Sequence, residues 1–445
     1  MIALADLQSC FEGVIPSIVA TAAADGTPNI SYLSQVVRVD DEHIALSNQF
    51  FSKTATNIRE NPRAAVLVVD AQTGEQYRLD ASFVETRTSG PTFEHVRMHI
   101  EAAGAQTGMA GIFRLFGIDI YRVREIVKVP SAVPLTDSAP RQVPRMSDAA
   151  RVVDLIAARS DVDGIIEAAL DGLGEHFGYE NMLLLAQDPV RHVLTTIASR
   201  GYERTGIGSE VPFGDGVASR AAMEGRIIRV SDLSRVKRFA AAISGSATDE
   251  NRTRAIAVPG MPDAMSQIAV PLLAQGRVQG VLFAESCAKM AFRSEDETAL
   301  TIVARQLATS WMLAEHLAGE PQETARAHHQ KQSSDRTFRI TYHTIDDSVF
   351  IDDEYVIKGV PGRLLMFFLE SCDRDGRRDF TNRELRMSPA LRLPEIKDNL
   401  ETRLLLLRRR LEEKASPVRL VRSGRGRVTL EMQGSPVFSR VASQG

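Results

Sequence analysis

The sequence predicts a multidomain protein of three consecutive units: a small β barrel, a mixed α/β domain and a basic α+β domain. Three observations lead there. The chain has 445 residues, and at about 150 residues per domain that length suggests roughly three. Two breaks in composition divide it. Pro130, Pro134, Pro140 and Pro144 crowd a stretch ending near Ser147, and a Gln-, His- and Ser-rich stretch runs from about Gly319 to Asp335. Dense prolines remove backbone donors and favour extended chain, so the first break is a linker, and the second, poor in apolar residues, is read the same way. The hydrophobic period also changes from unit to unit, mostly two in the first and mixed in the second. The expected domains are residues 1–130, 148–318 and 336–435.

The composition narrows the class. Hydrophobic residues make up 44% and charged residues 25%, a globular balance that excludes a disordered chain. No uncharged run approaches the ~18 residues of a membrane span. Asp6 and Glu12 stand where a secretory leader would be basic and apolar, so a cytoplasmic protein without a membrane partner is expected. Cys10, Cys287 and Cys372 are far apart and form no metal-ligand pair. Cys287 is expected as a buried, inert thiol. His328 and His329 are adjacent and would not face one partner on a helix, so no metal site is expected. The net charge of −4 hides an asymmetry: residues 336–445 hold 21 Lys+Arg against 16 Asp+Glu, the remainder 32 against 41. A basic end on an acidic body suggests a polyanion partner for that end.

In the first unit Asp25-Gly26 is a turn signal between the apolar segment Val14 to Ala23 and the run Asn29 to Val39. Ile44 to Leu46 follows as a strand and Lys53 to Glu60 as a short helix closed by Asn61-Pro62. Ala64 to Val69 reads as a buried strand, and Tyr77, Leu79, Ala81 and Phe83 alternate at period two. Short strands with turns between them predict a small barrel. Ser52, Lys53 and Thr54 gather a cation and two hydroxyls at a helix start, a group suited to a phosphate. The same residues would also serve a capped helix with a surface lysine.

The stretch Leu46 to Ala65, with that triplet ahead of Asn61-Pro62, resembles the pyridoxamine-phosphate-oxidase-like flavin-binding split barrel over about residues 10–129. The resemblance implies flavin mononucleotide (FMN) as cofactor, its phosphate held by Ser47, Ser52, Lys53 and Thr54, with Gln76 near the flavin ring. Related barrels bind haem or deazaflavin, or have lost their ligand, so haem or no cofactor stays open; His43, His95 and His99 are the available axial ligands. Thr54 stands where the oxidases have a second basic residue, and Ser34-Gln35-Val36 replaces their arginine-led strand, which argues against pyridoxamine-phosphate oxidation.

In the middle unit Ile166, Leu170, Leu173 and Phe177 mark a helix, with strands at Asn181 to Ala186 and Val193 to Ala198. Strands at Ile268 to Leu273 and Val278 to Ala284 flank a four-residue loop, Ala274 to Arg277. From Ser294 a long helix carries Leu300, Val303, Leu307, Ser310, Ala314 and Leu317 at 3-4 spacing. That seam suits a coiled-coil homodimer, although a helix packed on its own sheet would show the same pattern. Val211-Pro212-Phe213-Gly214, Ile268 to Leu272, Gly280 to Glu285 and Phe292 to Asp296 resemble the GAF family of small-molecule sensor domains across most of residues 150–315. A small-molecule or redox signal is what the resemblance implies.

The last unit has short strands at Phe338 to Ile340 and Val349 to Ile351 and a helix at Gly362 to Leu369. Thr381 and Glu384 form a capping box. A longer helix, Pro394 to Lys414, carries Lys397, Arg403, Arg408, Arg409 and Arg410, and a basic hairpin follows around Ser423 to Gly426. Leu406 is expected to pack against a neighbour. The order, with Leu404 to Leu411 and Val421 to Val428, resembles the DNA-binding winged helix of bacterial response regulators over about residues 338–432. It implies double-stranded DNA as partner, met by Lys397, Asn399, Thr402, Arg403, Arg408, Arg422 and Arg425. The solvated basic face of a protein-binding winged helix is the alternative. No catalytic constellation is found, and Arg78, Arg87 and Arg97 are the nearest to substrate-binding candidates. The combined reading is a one-component transcription regulator whose DNA binding responds to a cofactor or ligand; the rivals are a flavin-dependent oxidoreductase with an accessory basic domain, or a barrel kept as an empty dimerisation scaffold.

Overall fold

The first strands follow from the turn between them: Gly26 takes φ 86° and Asp25 Oδ1 accepts from Thr27 N at 2.9 Å, joining β1 (Ser17–Ala22) to β2 (Pro28–Leu33). A computed structural model describes residues 2–33, 35–48, 52–71, 73–106, 115–130, 146–214, 216–234, 250–318, 337–393 and 399–441. Both linkers, His328, His329 and the helix start at Pro394 to Lys397 lie outside the described residues, as does the Ser52 side chain.

Strands β3 (Val36–Arg38) and β4 (His43–Asn48) lead to helix α1 (Ser52–Glu60), β5 (Arg63–Val69), β6 (Gln76–Arg87), α2 (Pro91–Gln106) and β7 (Gly117–Val129). The seven strands pair antiparallel in the order β2-β1-β5-β6-β7-β4-β3. Val19, Ile44, Val66, Val68 and Leu79 point from alternate strand positions into one core. Helix α2 was not expected from the sequence. Its Phe93, Val96 and Ile100 pack on the barrel while Met98 enters the middle domain's core, so burial on two sides blurs the single apolar stripe that announces a helix.

The middle domain holds α3 (Met146–Ala157), α4 (Val162–Phe177), β8 (Asn181–Asp188), β9 (Val193–Arg200), β10 (Glu210–Pro212), α5 (Gly216–Glu224), β11 (Ile228–Val230), α6 (Glu250–Thr253), β12 (Ser266–Ala274), β13 (Arg277–Ser286) and α7 (Ser294–Leu317). Its sheet is antiparallel, ordered β10-β9-β8-β13-β12-β11. The β12–β13 loop is tighter than expected: Ala274 already pairs with Arg277, leaving only Gln275 and Gly276 at φ 49° and 71°. Two central residues at positive φ make the twist of a two-residue hairpin match its strands. The α7 seam is also corrected. Leu300, Val303, Leu307 and Ala314 are buried within the chain, where α7 packs on α3, α4 and β12, so these residues are not a dimer face. Cys287 is exposed rather than buried, because it follows the end of β13.

The C-terminal unit runs β14 (Thr337–His343), β15 (Ser348–Ile351), β16 (Glu354–Ile357), α8 (Gly359–Asp375), β17 (Asp379–Thr381), α9 (Asn382–Met387), α10 (Leu400–Glu413), β18 (Val418–Gly424), β19 (Arg427–Met432) and β20 (Ser435–Val441). Strand β20 adds in parallel to β14, completing the sheet β16-β15-β14-β20, and a second sheet is ordered β17-β19-β18. The capping box forms as read: Thr381 Oγ1 accepts from Glu384 N, and Glu384 Oε2 accepts from Thr381 N at 2.9 Å. One hydrophobic core continues from the middle domain into this unit, from Ile197 and Trp311 to Leu404, Leu406 and Leu420. Among the described residues no helix is long and apolar enough to cross a membrane.

Candidate functional site

The barrel residues expected to hold a phosphate are brought together only in part. Lys53 stands exposed in the first turn of α1, where backbone N–H groups have no partner within the helix. Thr54, one residue on, turns to the other side of the helix and is buried; its Oγ1 accepts from Asn29 Nδ2 at 2.9 Å and lies 3.1 Å from Ser31 Oγ. Ser47 is buried too, its Oγ accepting from Gln35 N at 3.2 Å. Gln76 does not join them. It pairs with Val129 at one end of β6, whereas Ser47 pairs with Ile118, whose β6 partner is Arg87 at the other end. Gln76, expected near the flavin ring and not at the phosphate, stands apart from this cluster because strand register separates them. What fits a phosphate is therefore Lys53 with the first turn of α1, and the buried hydroxyls of Ser47 and Thr54 do not complete that cradle.

The histidines considered for haem are engaged elsewhere. His43 Nδ1 lies 2.9 Å from Asp40 Oδ1. His95 and His99 pack on α2 with tilted rings 4.3 Å apart, and His95 lines a cleft against the middle domain with Arg226 and Arg305. Burial, then His99, holds the His95 imidazole down at about 4. The arginines considered for substrate are paired as well: Arg78 with Asp80 at 3.1 Å, Arg87 with Glu85 at 2.6 Å and Arg97 with Glu94 at 2.7 Å.

The basic helix α10 converges on a site, and that site is internal. Leu400, Leu404, Leu407 and Leu411 fall three or four residues apart and are buried. The helix lies between α8 and β18 of its own unit and α4, α7 and β9 of the middle domain. Leu406, expected against a neighbour, is buried beside Gly208 of the middle domain. Arg408 pairs with the Asp163 carboxylate. Arg409 reaches Asp163 Oδ1 at 2.6 Å, Glu167 Oε1 at 3.3 Å and the Ile197 carbonyl at 3.0 Å. Arg410, only 2% exposed, donates to Glu250 Oε2 at 3.0 Å, Glu413 Oε2 at 2.6 Å and the Val356 carbonyl at 2.9 Å. From the hairpin, Arg422 meets Asp161 Oδ1 at 2.8 Å. Burial alone would raise the Asp163 carboxyl, but Arg409 and Arg408 outweigh it and hold it below its ordinary value.

The start of α10 is held by α7. Asn399 at the N-cap makes no side-chain cap. Instead Glu315 Oε1 accepts from Thr402 N at 2.7 Å and Oε2 from Glu401 N at 3.1 Å, a cap supplied by another domain. Thr402 Oγ1 bonds Glu315 and accepts from Trp311 Nε1 at 2.8 Å. Asn382 Nδ2 donates to the Ala318 carbonyl just past the end of α7 at 3.2 Å. Gly426, in the hairpin turn, lies so close to that carbonyl that a Cβ would meet its oxygen at 2.3 Å. Burial pushes the Glu315 carboxyl up to about 7, against the hydrogen bonds from Thr402. Arg403 and Asn399 line a cleft shared with Arg191 and Glu210 of the middle domain, and Arg425 stands half-buried at the hairpin. Lys397 lies outside the described residues. Sequence reading missed Asp161, Asp163, Trp311, Glu315 and Asn382. The one local signal was an acid, Glu315, among buried helix positions.

Comparison with known proteins places two of the three units. The profile of the family described as Pyridoxamine 5'-phosphate oxidase matches residues 5–126, and that of the GAF domain matches residues 161–311. The N-terminal unit is thus an oxidase-like barrel and the middle unit a GAF domain. No curated protein matches the sequence. Among solved structures, the chain is similar to a free methionine-R-sulfoxide reductase from Neisseria meningitidis, with 22% identity over 41% of this chain and 97% of that one and a TM-score of 0.31. An FMN-binding protein from Syntrophomonas wolfei shares 16% identity over 29% and 88%, TM-score 0.25. The GAF domain of an Acinetobacter phosphoenolpyruvate-protein phosphotransferase shares 16% over 42% and 99%, TM-score 0.32.

Proposed function

We propose that the chain is a one-component transcription regulator: the barrel and GAF domains sense a cofactor or small ligand, and the C-terminal unit is a winged helix that reads double-stranded DNA. The observation that carries this reading is the arginine-bearing α10 followed by the hairpin β18–β19, behind the capped α9. A helix of that size matches the major groove, and a basic hairpin beside it reaches the backbone. The pairing of Arg78, Arg87 and Arg97 with carboxylates favours this over the oxidoreductase. The cofactor is FMN, with its phosphate at Lys53 and the first turn of α1; oxidised-flavin bands in the visible spectrum of the purified protein support it, and a Soret band or a bare spectrum overturns it.

The DNA reading is tested on the full chain by selecting genomic fragments and titrating their binding with salt. Arg403→Ala costs about 1–3 kcal/mol at the selected site and relaxes its base preference, whereas Arg425→Ala weakens all sequences alike and flattens the salt slope by about one unit. Weak, sequence-blind binding that neither substitution alters overturns the reading.

A further inference from the structure

We propose that the GAF domain is an intramolecular competitor for DNA, its Asp161, Asp163 and Glu167 carboxylates standing where backbone phosphates would stand against Arg422, Arg408 and Arg409. The inference rests on the winged-helix reading above and concerns how that same surface is regulated.

The contacts divide into a charged face and a clasp. On the charged face, Asp161 is the N-cap of α4 and Asp163 lies in its first turn, so the acids gather at one helix end. They meet cations from both halves of the basic unit, helix and hairpin, as a nucleic-acid backbone would. An α-helix with its side chains is about 10–12 Å across and the major groove about 12 Å wide, so a helix enters only with its reading face clear. With Thr402, Leu406 and Arg409 against the middle domain, that face is covered. Arginines already paired with carboxylates also release no counterions on meeting DNA unless those pairs first break. Docking and DNA binding are therefore alternatives.

The clasp links this choice to the sensor. The last two turns of α7 supply Trp311 and Glu315 to Thr402, and the Ala318 carbonyl just past them meets Asn382, so α9, α10 and the hairpin turn are all gripped at one helix end. A shift of that helix end strips the cap from α10 and frees the surface; a ligand drives it only by binding the two arrangements with different affinity.

The test uses the full chain with Asp161→Asn and Asp163→Asn combined. Asparagine caps a helix as well as aspartate does, so α4 keeps its start while the charge is lost. Affinity for selected fragments at about 0.15 M salt rises roughly tenfold or more, and amides of residues 400–413 exchange faster in the free protein. Glu315→Ala, which acts through the clasp, gives the same two changes. DNA bound by the wild type with affinity unchanged in both variants overturns the competition alone. Faster exchange with no DNA retained by any form overturns the DNA reading and the competition with it.

Discussion

The joint between the barrel and the GAF domain and the joint between the GAF domain and the C-terminal unit are built differently. At the first, the barrel keeps its own hydrophobic cores, and Met98 alone crosses into the GAF core among the buried residues. Its fastening is ionic: Arg229 pairs with Glu12, Arg220 with Glu101 at 3.1 Å and Arg97 with Glu224 at 3.3 Å. At the second joint a single core runs through, and charged groups sit inside it, Arg410 and Glu315 among them. Burying apolar area holds two units without regard to direction, whereas buried charges demand defined partners. A shift at the first joint therefore leaves the barrel's own cores whole and costs the burial of Met98 and the Glu12–Arg229 pair. The second is held in one arrangement until specific pairs are broken.

Arg410→Ala has the largest expected effect. It removes the buried bonds to the Val356 carbonyl, Glu413 and Glu250, although Glu250 keeps Arg204 at 2.6 Å and Lys414 at 3.4 Å. It should cost about 3 kcal/mol, with GAF and C-terminal units losing protection together in hydrogen exchange. Separate unfolding of the two would break the contrast.

Titration separates the joints by sign. Glu315 is raised by burial from 4.5 to about 7, so the folded state holds its proton more tightly than the unfolded one. Its contribution is full below 4.5 and is lost as pH climbs to about 7, worth about 3 kcal/mol at most. His95 is lowered from 6.5 to about 4, so the barrel joint is strongest above 6.5 and weakens as pH falls towards 4. Exchange protection of α10 and of α2 should thus move in opposite directions across that range. Glu315→Gln should remove the first trend and leave the second; parallel trends would sink the assignment.

Arg229→Ala should cost about 2 kcal/mol, because Glu12 retains Ser294 at 3.3 Å and Ser231 at 3.5 Å. Its effect should fall on the barrel and on β11 and α7, which Arg229 also joins through Glu297, and spare the C-terminal unit, read by urea unfolding with exchange. The smallest change is expected at Lys53. Lys53→Ala removes one charge-assisted contact, about 1.5 kcal/mol, so a phosphate-bearing flavin is held roughly tenfold more weakly, measured by its release on dilution. Equal retention would remove Lys53 from the site.

Some of this molecule was legible from sequence because its causes are local. Asp25-Gly26 and the Thr381–Glu384 box act within four residues, and each forms where the chain chemistry places it; the β12–β13 turn lies where expected but is two residues long, not four. Helix α1 and the alternation along β6 were equally readable, and so were the matching GAF segments. Burial of the α7 seam was also determined by its spacing, since 3-4 periodicity requires a covered face.

What covers each face was decided only by the tertiary structure. Periodicity reports that Leu300, Val303 and Leu307 must be buried, and is silent on whether a second chain or α3 and α4 bury them. Arginine charge reports that Arg408 and Arg409 want anions, and is silent on whether a phosphate or Asp163 supplies one. How far Gln76 stands from Ser47 was likewise set by strand register, which depends on residues far along the chain. Local sequence sets what a group needs; the partner, often a hundred or more residues away, is chosen by the packing of the whole chain.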